Sequence, residues 1–224
     1  WSSDVCSSDL VDAVKRICDY SPLPLIVDAE DVYSASPMVV YRNVKRLIEA
    51  SASAISVDDA HHMTGFQRLW HYREKNHITD KDFFNNLDFY KVIPREDFYQ
   101  KIKAAVAACE GTDCMIIARS EAKMKYGLDE AIERCRRASE LGAPMTLCLG
   151  IDNLEESKRV ADALPGWKMY PDVVAKNGVP DVELADVEKL GFNLVTHHCL
   201  EKGAMYGMLL FGTNNRKNNN KLKQ

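Results

Sequence analysis

Residues 114–150 read CMIIARSEAKMKYGLDEAIERCRRASELGAPMTLCLG. Two short apolar runs, 114–120 and 144–150, enclose a stretch that opens after Gly127 and stacks Leu128, Ile132, Cys135 and Ala138 on one face. Strand, amphipathic helix, strand is the repeating unit of a parallel sheet covered by helices. Outward from this stretch the pattern recurs. Further candidate strands are LPLIVDA (23–29), AISVDDA (54–60), WKMYPDV (167–173) and FNLVTHH (192–198). One predicted helix opens at Ser36 with Pro37 at its first position and faces Val40, Val44, Leu47 and Ile48 inward. Another follows Pro94 with Phe98, Ile102, Ala105, Val106 and Cys109. Residues 154–164 and 181–190 repeat the scheme more weakly, and Gly191 stands where a helix should stop. The units are nearly evenly spaced, apart from one doubled interval between Ala60 and Cys114.

No GxGxxG follows any of these strands, so a dinucleotide fold has no support. The pattern fits a (β/α)8 TIM barrel, whose sites lie at the carboxyl ends of the strands. About six β/α units are visible, so the sequence predicts a partial barrel with its first two strands missing. Residues 1–10 have no apolar period, and DVCSSDL (4–10) can be reverse-translated into sequencing-adapter sequence, so residues 1–10 are expected to be non-native. Residues 11–212 form the expected barrel domain, and 213–224 a disordered basic tail.

Of 224 residues, 46% are hydrophobic and 28% charged, with a net charge of −4, as in an ordinary globular protein without a nucleic-acid footprint. No apolar run is long enough to span a bilayer. Seven scattered cysteines without a CxxC pair read as reduced thiols, and a cytoplasmic location is expected.

The strand ends carry the chemistry. The first supplies Asp28, Glu30 and Asp31; the second Asp58, Asp59, His61 and His62; the third Arg119 and Glu121; the sixth His197, His198 and Cys199. Strand alternation predicts that Asp28 and Glu30 share a face. Carboxylates gathered in a confined site repel one another unless a cation compensates, and a few hard oxygen ligands suit Mg2+. Arg119 offers a planar fork, either to a carboxylate or phosphonate of a substrate or to these carboxylates as a structural salt bridge. Adjacent residues on a strand point apart, which argues against His197, His198 and Cys199 as a soft-metal trio. His61 and His62 open a long loop and read as solvated. Residues 61–94 are rich in aromatics (Phe66, Trp70, Tyr72, Phe83) and read as a lid over the site or as an oligomer contact.

These residues carry a resemblance to the isocitrate lyase / phosphoenolpyruvate mutase superfamily. IIARSEA (116–122) and GLDEAIERCRRASELGA (127–143) resemble its IIARTDA and the helix that follows. VDAEDVYS (27–34) stands where the family has VDADTGYG, and ISVDD (55–59) where its strand ends in I-E-D. The likeness runs from about residue 11 to 211. It implies that Asp28 ligates Mg2+ directly, that Glu30 and Asp58 hold the metal's waters, and that Arg119 grips the substrate's acid group. It also implies a lyase or mutase acting on C–C or P–C bonds of a small 2-oxo, 2-hydroxy or phosphono acid through an enolate. A homo-oligomer is implied too, because the helix corresponding to 201–210 swaps between subunits in many members.

Several positions depart from the family pattern. Glu30 and Asp58 exchange the usual carboxylate lengths, and Val32 and Ser34 replace glycines. The loop motif K-K-C-G-H is absent, with no cysteine between Cys18 and Cys109, so cleavage of isocitrate or methylisocitrate by that cysteine is not expected. Lys75 and His77 are the candidates for the acid/base role. Asp172 is a candidate polar contact. An inactive barrel that binds a carboxylate ligand or a partner, and a hydrolase of the same substrate class, are the alternatives.

Overall fold

All six apolar runs become strands of one parallel sheet, in the order β1 to β6 along the chain. The computed structural model describes residues 7–60, 92–151, 153–172, 182–197 and 200–217. Its strands are β1 (Ile26–Asp28), β2 (Ala54–Asp58), β3 (Met115–Ser120), β4 (Met145–Cys148), β5 (Trp167–Asp172) and β6 (Leu194–Thr196). The helices are α1 (Ser7–Tyr20), α2 (Pro37–Glu49), α3 (Arg95–Cys109), α4 (Lys123–Tyr126), α5 (Leu128–Glu140), α6 (Leu154–Ala163), α7 (Leu184–Lys189) and α8 (Leu200–Lys217). The sheet curls into a half-barrel, the partial TIM-barrel architecture expected from the sequence.

Helices and sheet bury a common outer layer. Val27, Ile55, Val57 and Ile116 meet Val40, Val44 and Leu47 of α2 and Phe98, Ile102 and Ala105 of α3. A second cluster joins Ala131 and Cys135 of α5, Val160 of α6 and Tyr170, whose ring meets Phe192 edge-on at 5.2 Å. A full side chain of this kind contributes roughly 1.5–3 kcal/mol on burial. On the concave side Ala54, Ile117, Met145 and Leu147 form a smaller layer. The strands are therefore apolar on both faces, which explains the near-continuous runs in the sequence.

Several boundaries differ from expectation. β1 starts at Ile26 rather than residue 23, because Pro22 and Pro24 have no N–H to give a ladder. α1 begins at Ser7, and Leu10 and Val11 pack on the core, so residues 7–10 form the first turn of a helix. The expected tail boundary at 213 is too early. α8 continues through Lys217, where Arg216 and Lys217 in the last turn complement the helix dipole.

The doubled interval leaves the sheet and returns to it at one place. Ala60 and Val92 form an antiparallel bridge, and Ile93 N donates to Asp59 O at 2.8 Å. Ala60 and Val92, which flank residues 61–91 in sequence, thus meet beside the carboxyl end of β2. Lys75, His77, His61, His62 and the loop aromatics lie outside the described residues, as do His198 and Cys199.

Candidate active site at the carboxyl ends of the strands

Sheet register fixes which side chains meet. Asp28 pairs with Ser56 and Ser56 with Ile117, while Asp58 pairs with Arg119 and Arg119 with Leu147. Residues in register in a parallel sheet share a face, so Asp28, Ser56, Asp58 and Arg119 all belong to the concave side. That side opens on a cavity of about 510 Å³ lined from every strand. Asp28, Ser56 and Arg119 line it from β1 to β3, Leu147 and Met169 from β4 and β5, and His197 just past β6.

Arg119 is the hinge of the polar half. Its Nη1 donates to Asp28 Oδ2 at 2.9 Å, and its Nη2 pairs with Glu121. Arg119 is thus salt-bridged to two carboxylates and also lines the cavity.

Asp58 is fully buried. Its Oδ1 accepts from Ala60 N at 3.1 Å, while Oδ2 makes no hydrogen bond among the described residues. Burial pushes the Asp58 carboxyl up to about 8, against the pull of Arg119 and Lys101 and with added repulsion from Glu30 and Asp59. Glu121 is pushed up to about 9, first by burial and then by Asp58, Glu30, Asp59 and Asp28. The mutual repulsion expected of gathered carboxylates is present.

Glu30 reaches this neighbourhood by a route the sequence did not indicate. Strand alternation ends at Asp28, and a turn follows in which Glu30, Val32 and Tyr33 take φ of 53°, 58° and 59°. Asp58 N donates to the Glu30 carbonyl at 2.9 Å, tying the turn to β2. Asn43 Nδ2 donates to Val32 O at 3.0 Å, and Asp31 Oδ1 accepts from Tyr33 N at 2.8 Å. Asp31 therefore shapes the turn.

Asp59 faces the helices instead of the cavity. It accepts from Ser120 Oγ and Glu121 N, both at 2.7 Å, and from Arg134 Nη1 at 3.3 Å. Of the six carboxylates grouped by sequence, Asp28, Glu30, Asp58 and Glu121 remain for chemistry, and Asp31 and Asp59 hold the frame.

Among the described residues no three His, Cys, Asp or Glu side chains are gathered as a ready metal-ligand set. The donor chemistry nevertheless fits a hard cation: among the described residues, a buried Asp58 oxygen without a partner, and carboxyls raised first by burial and then by one another. Three contributors were missed by sequence reasoning. Lys101 Nζ, 1% exposed, donates to the Asp58 carbonyl at 3.0 Å. Its signal was available, as a lysine between Phe98 and Ala105 on the buried face of α3. Ser56, whose Oγ has no partner among the described residues, lines the cavity and hides in an apolar run. His197 lines the cavity although it was set aside with its neighbours.

A curled parallel sheet with acidic groups and an arginine at its carboxyl ends defines a TIM-barrel-type α/β protein with a strand-end site. A model of the phosphoenolpyruvate phosphomutase family matches residues 2–208, and the chain belongs to that family, within the phosphoenolpyruvate mutase/isocitrate lyase superfamily. It is 32% identical over 156 residues to 2-methylisocitrate lyase of Escherichia coli K12, covering 70% of this chain and 47% of that one. The chain spans about half the length of the curated relatives it matches. Among solved structures it is similar to oxaloacetate acetylhydrolase in complex with 3,3-difluorooxalacetate (TM-score 0.76, 23% identity, 96% of this chain and 67% of that one). It is also similar to phosphonopyruvate hydrolase in complex with oxalate and Mg2+ (TM-score 0.72, 21% identity, 97% and 69%). These two share its fold.

Proposed function

We propose that the protein is a Mg2+-dependent lyase or mutase acting on C–C or P–C bonds of a small 2-oxo, 2-hydroxy or phosphono acid. The observation that carries this reading is the buried Asp58 Oδ2, unpartnered among the described residues, on the same face as Asp28 and Arg119. Asp28, Glu30 and Asp58 would hold the cation. When bound, it supplies positive charge against the negative charge that develops on a substrate oxygen as the bond breaks.

The chain's own residues do the rest. Arg119, anchored by Glu121, offers Nη1 to the substrate's acid group in place of Asp28. Its 15% exposed side chain works at reduced dielectric, where that pairing is stronger than in water. Ser56 adds a hydroxyl at the polar wall, and Leu147 and Met169 exclude water opposite. Proton transfer is assigned to Lys75 or His77, from the segment between Ala60 and Val92.

Hydrolysis of the same substrate class is the second reading, favoured by His197 at the cavity, where an imidazole could activate water. Self-association belongs to the proposal as well. α8 exposes Met205, Tyr206, Met208, Leu209 and Phe211, each more than half exposed, and sedimentation at graded concentration reads whether that surface is covered.

The reading is tested by product release. Substituted 2-hydroxy dicarboxylic acids and phosphono 2-oxo acids are incubated with the protein, with and without Mg2+, and both 2-oxo acid release and rearrangement of the phosphonate to a phosphate ester are measured. Mg2+-dependent release that falls about 100-fold or more in Arg119→Met is expected, since the arginine contacts the acid group throughout. Binding of these acids with neither release nor rearrangement of any of them contradicts turnover and leaves a carboxylate-binding barrel.

A further inference from the structure

The carboxyl end of β2 is held from several sides. Asp58, its last residue, gives its N–H to the Glu30 carbonyl at 2.9 Å, and its Oδ1 accepts from Ala60 N at 3.1 Å. The Asp58 carbonyl is met by a helix side chain: Lys101 Nζ donates to it at 3.0 Å. One residue further, Asp59 O accepts from Ile93 N and Ile93 O accepts from Arg134 Nη1, both at 2.8 Å. Helices α3 and α5 thus each send a cation to the strand end.

Lys101 is the costlier of the two to place. It stands on the side of α3 that buries Phe98, Ile102 and Ala105, and it is 1% exposed, so its whole stem is packed. Lysine is almost never buried to this extent without a partner, because an ammonium leaves water only where other groups compensate. Burial pulls Lys101 below its ordinary value, and the charges of Asp58, Asp31 and Asp59 oppose that pull. An apolar residue would pack this face of α3 without any such penalty. What the lysine adds is a donor at one main-chain oxygen and a positive charge behind three acids. It comes from the helix-covered side of the sheet, whereas the Asp58 carboxyl belongs to the concave side. The ammonium therefore reaches the strand end from behind the carboxyl.

Taking these strand ends as the Mg2+ site of the proposed reaction, we propose that Lys101 is a positioning residue of that site, which aims the Asp58 carboxyl at the cation by holding the Asp58 carbonyl. Carbonyl and carboxyl hang from one Cα, so a shift of the strand end moves the carboxyl relative to Asp28 on β1. Lys101 touches neither cation nor substrate and acts through Asp58. Partners that orient a metal ligand in this way are typically worth about 10–100-fold in metal affinity.

The test is calorimetric titration of Mg2+ into the full chain, at a temperature where circular dichroism shows each variant folded. Lys101→Met keeps the apolar stem and removes donor and charge, and it is expected to bind Mg2+ about 10-fold or more weakly than wild type. Val160→Ala, which hollows the second core cluster, should lower the melting temperature and leave Mg2+ affinity at the wild-type value, so lost stability alone does not reproduce the effect. Asp58→Asn separates the two claims. If wild type and Asp58→Asn bind alike, or wild type does not bind, the Mg2+ site falls and the role of Lys101 with it. If Asp58→Asn loses the binding and Lys101→Met keeps it, the positioning role alone is overturned. Should Lys101→Met fail to fold, Lys101→Gln, whose uncharged amide is one bond shorter, is read in the same way.

Discussion

Asp58 concentrates the electrostatic problem of the molecule in one side chain. Its carboxyl, raised to about 8, and that of Glu121, raised to about 9, keep protons in the fold that an unfolded chain releases near 3.8 and 4.5. The folded state therefore binds more protons than the unfolded state between those limits, and the stability of the metal-free protein falls as pH rises across the window. Every tenfold gain in proton affinity on folding corresponds to about 1.4 kcal/mol, reduced by whatever relaxation the site allows. A cation held by these groups competes with their protons, so its effect must grow as they ionise. Mg2+ should accordingly raise the melting temperature more at about pH 9 than at about pH 6. Calorimetry at the two pH values checks this, and an equal shift at both removes the carboxylates from the account.

At the scale of elements, the turn after β1 decides where the ligands stand. Val32 occupies it with φ of 58° and 1% exposure, a β-branched residue in backbone that costs an L-residue about 1–2 kcal/mol. Its burial contributes roughly 1.5–3 kcal/mol, so strain offsets much of the packing. Val32→Gly should then cost about 1 kcal/mol or less, while Val44→Ala, equally buried but in relaxed helix, should cost about 2 kcal/mol. Denaturant melts of the two variants decide it; a larger loss for Val32→Gly shows that the turn is not strained. This turn also marks where reading from sequence stops. Helix faces were legible because Val40, Val44 and Leu47, or Phe98, Ile102 and Ala105, repeat with the helical period, and those residues are buried, along with Asn43, Tyr99, Lys101 and Ala108, while Ile48, Val106 and Cys109 from the same predicted faces are only partly buried. Glu30 was assigned to the face of Asp28 by strand alternation, which holds only while the chain remains a strand. Only the family glycine that Val32 replaces hints at positive φ in this turn, and nothing in VDAEDVYS announces it at Glu30 and Tyr33.

At the scale of the whole molecule, six parallel strands in sequence order bring groups far apart in the chain, such as Asp28 and Arg119, to 2.9 Å. Sequence reasoning reached that meeting by counting β/α units and placing polar residues at their carboxyl ends. The strand pattern alone could not separate Asp58, on the concave face, from Asp59, held by Ser120, Glu121 and Arg134, because adjacent acids look alike until register is known; it was the family resemblance that singled out Asp58. Lys101 escaped for a related reason: it belongs to a helix yet serves a strand end. The central claim, that these strand ends form a cation-dependent carboxylate site, is tested most directly by melting wild type, Asp58→Asn and Arg119→Met with oxalate, in the presence and absence of Mg2+. The account predicts that oxalate stabilises wild type only with Mg2+ and that both variants lose the effect. Stabilisation by oxalate without Mg2+, or no response of wild type to the pair, would contradict it.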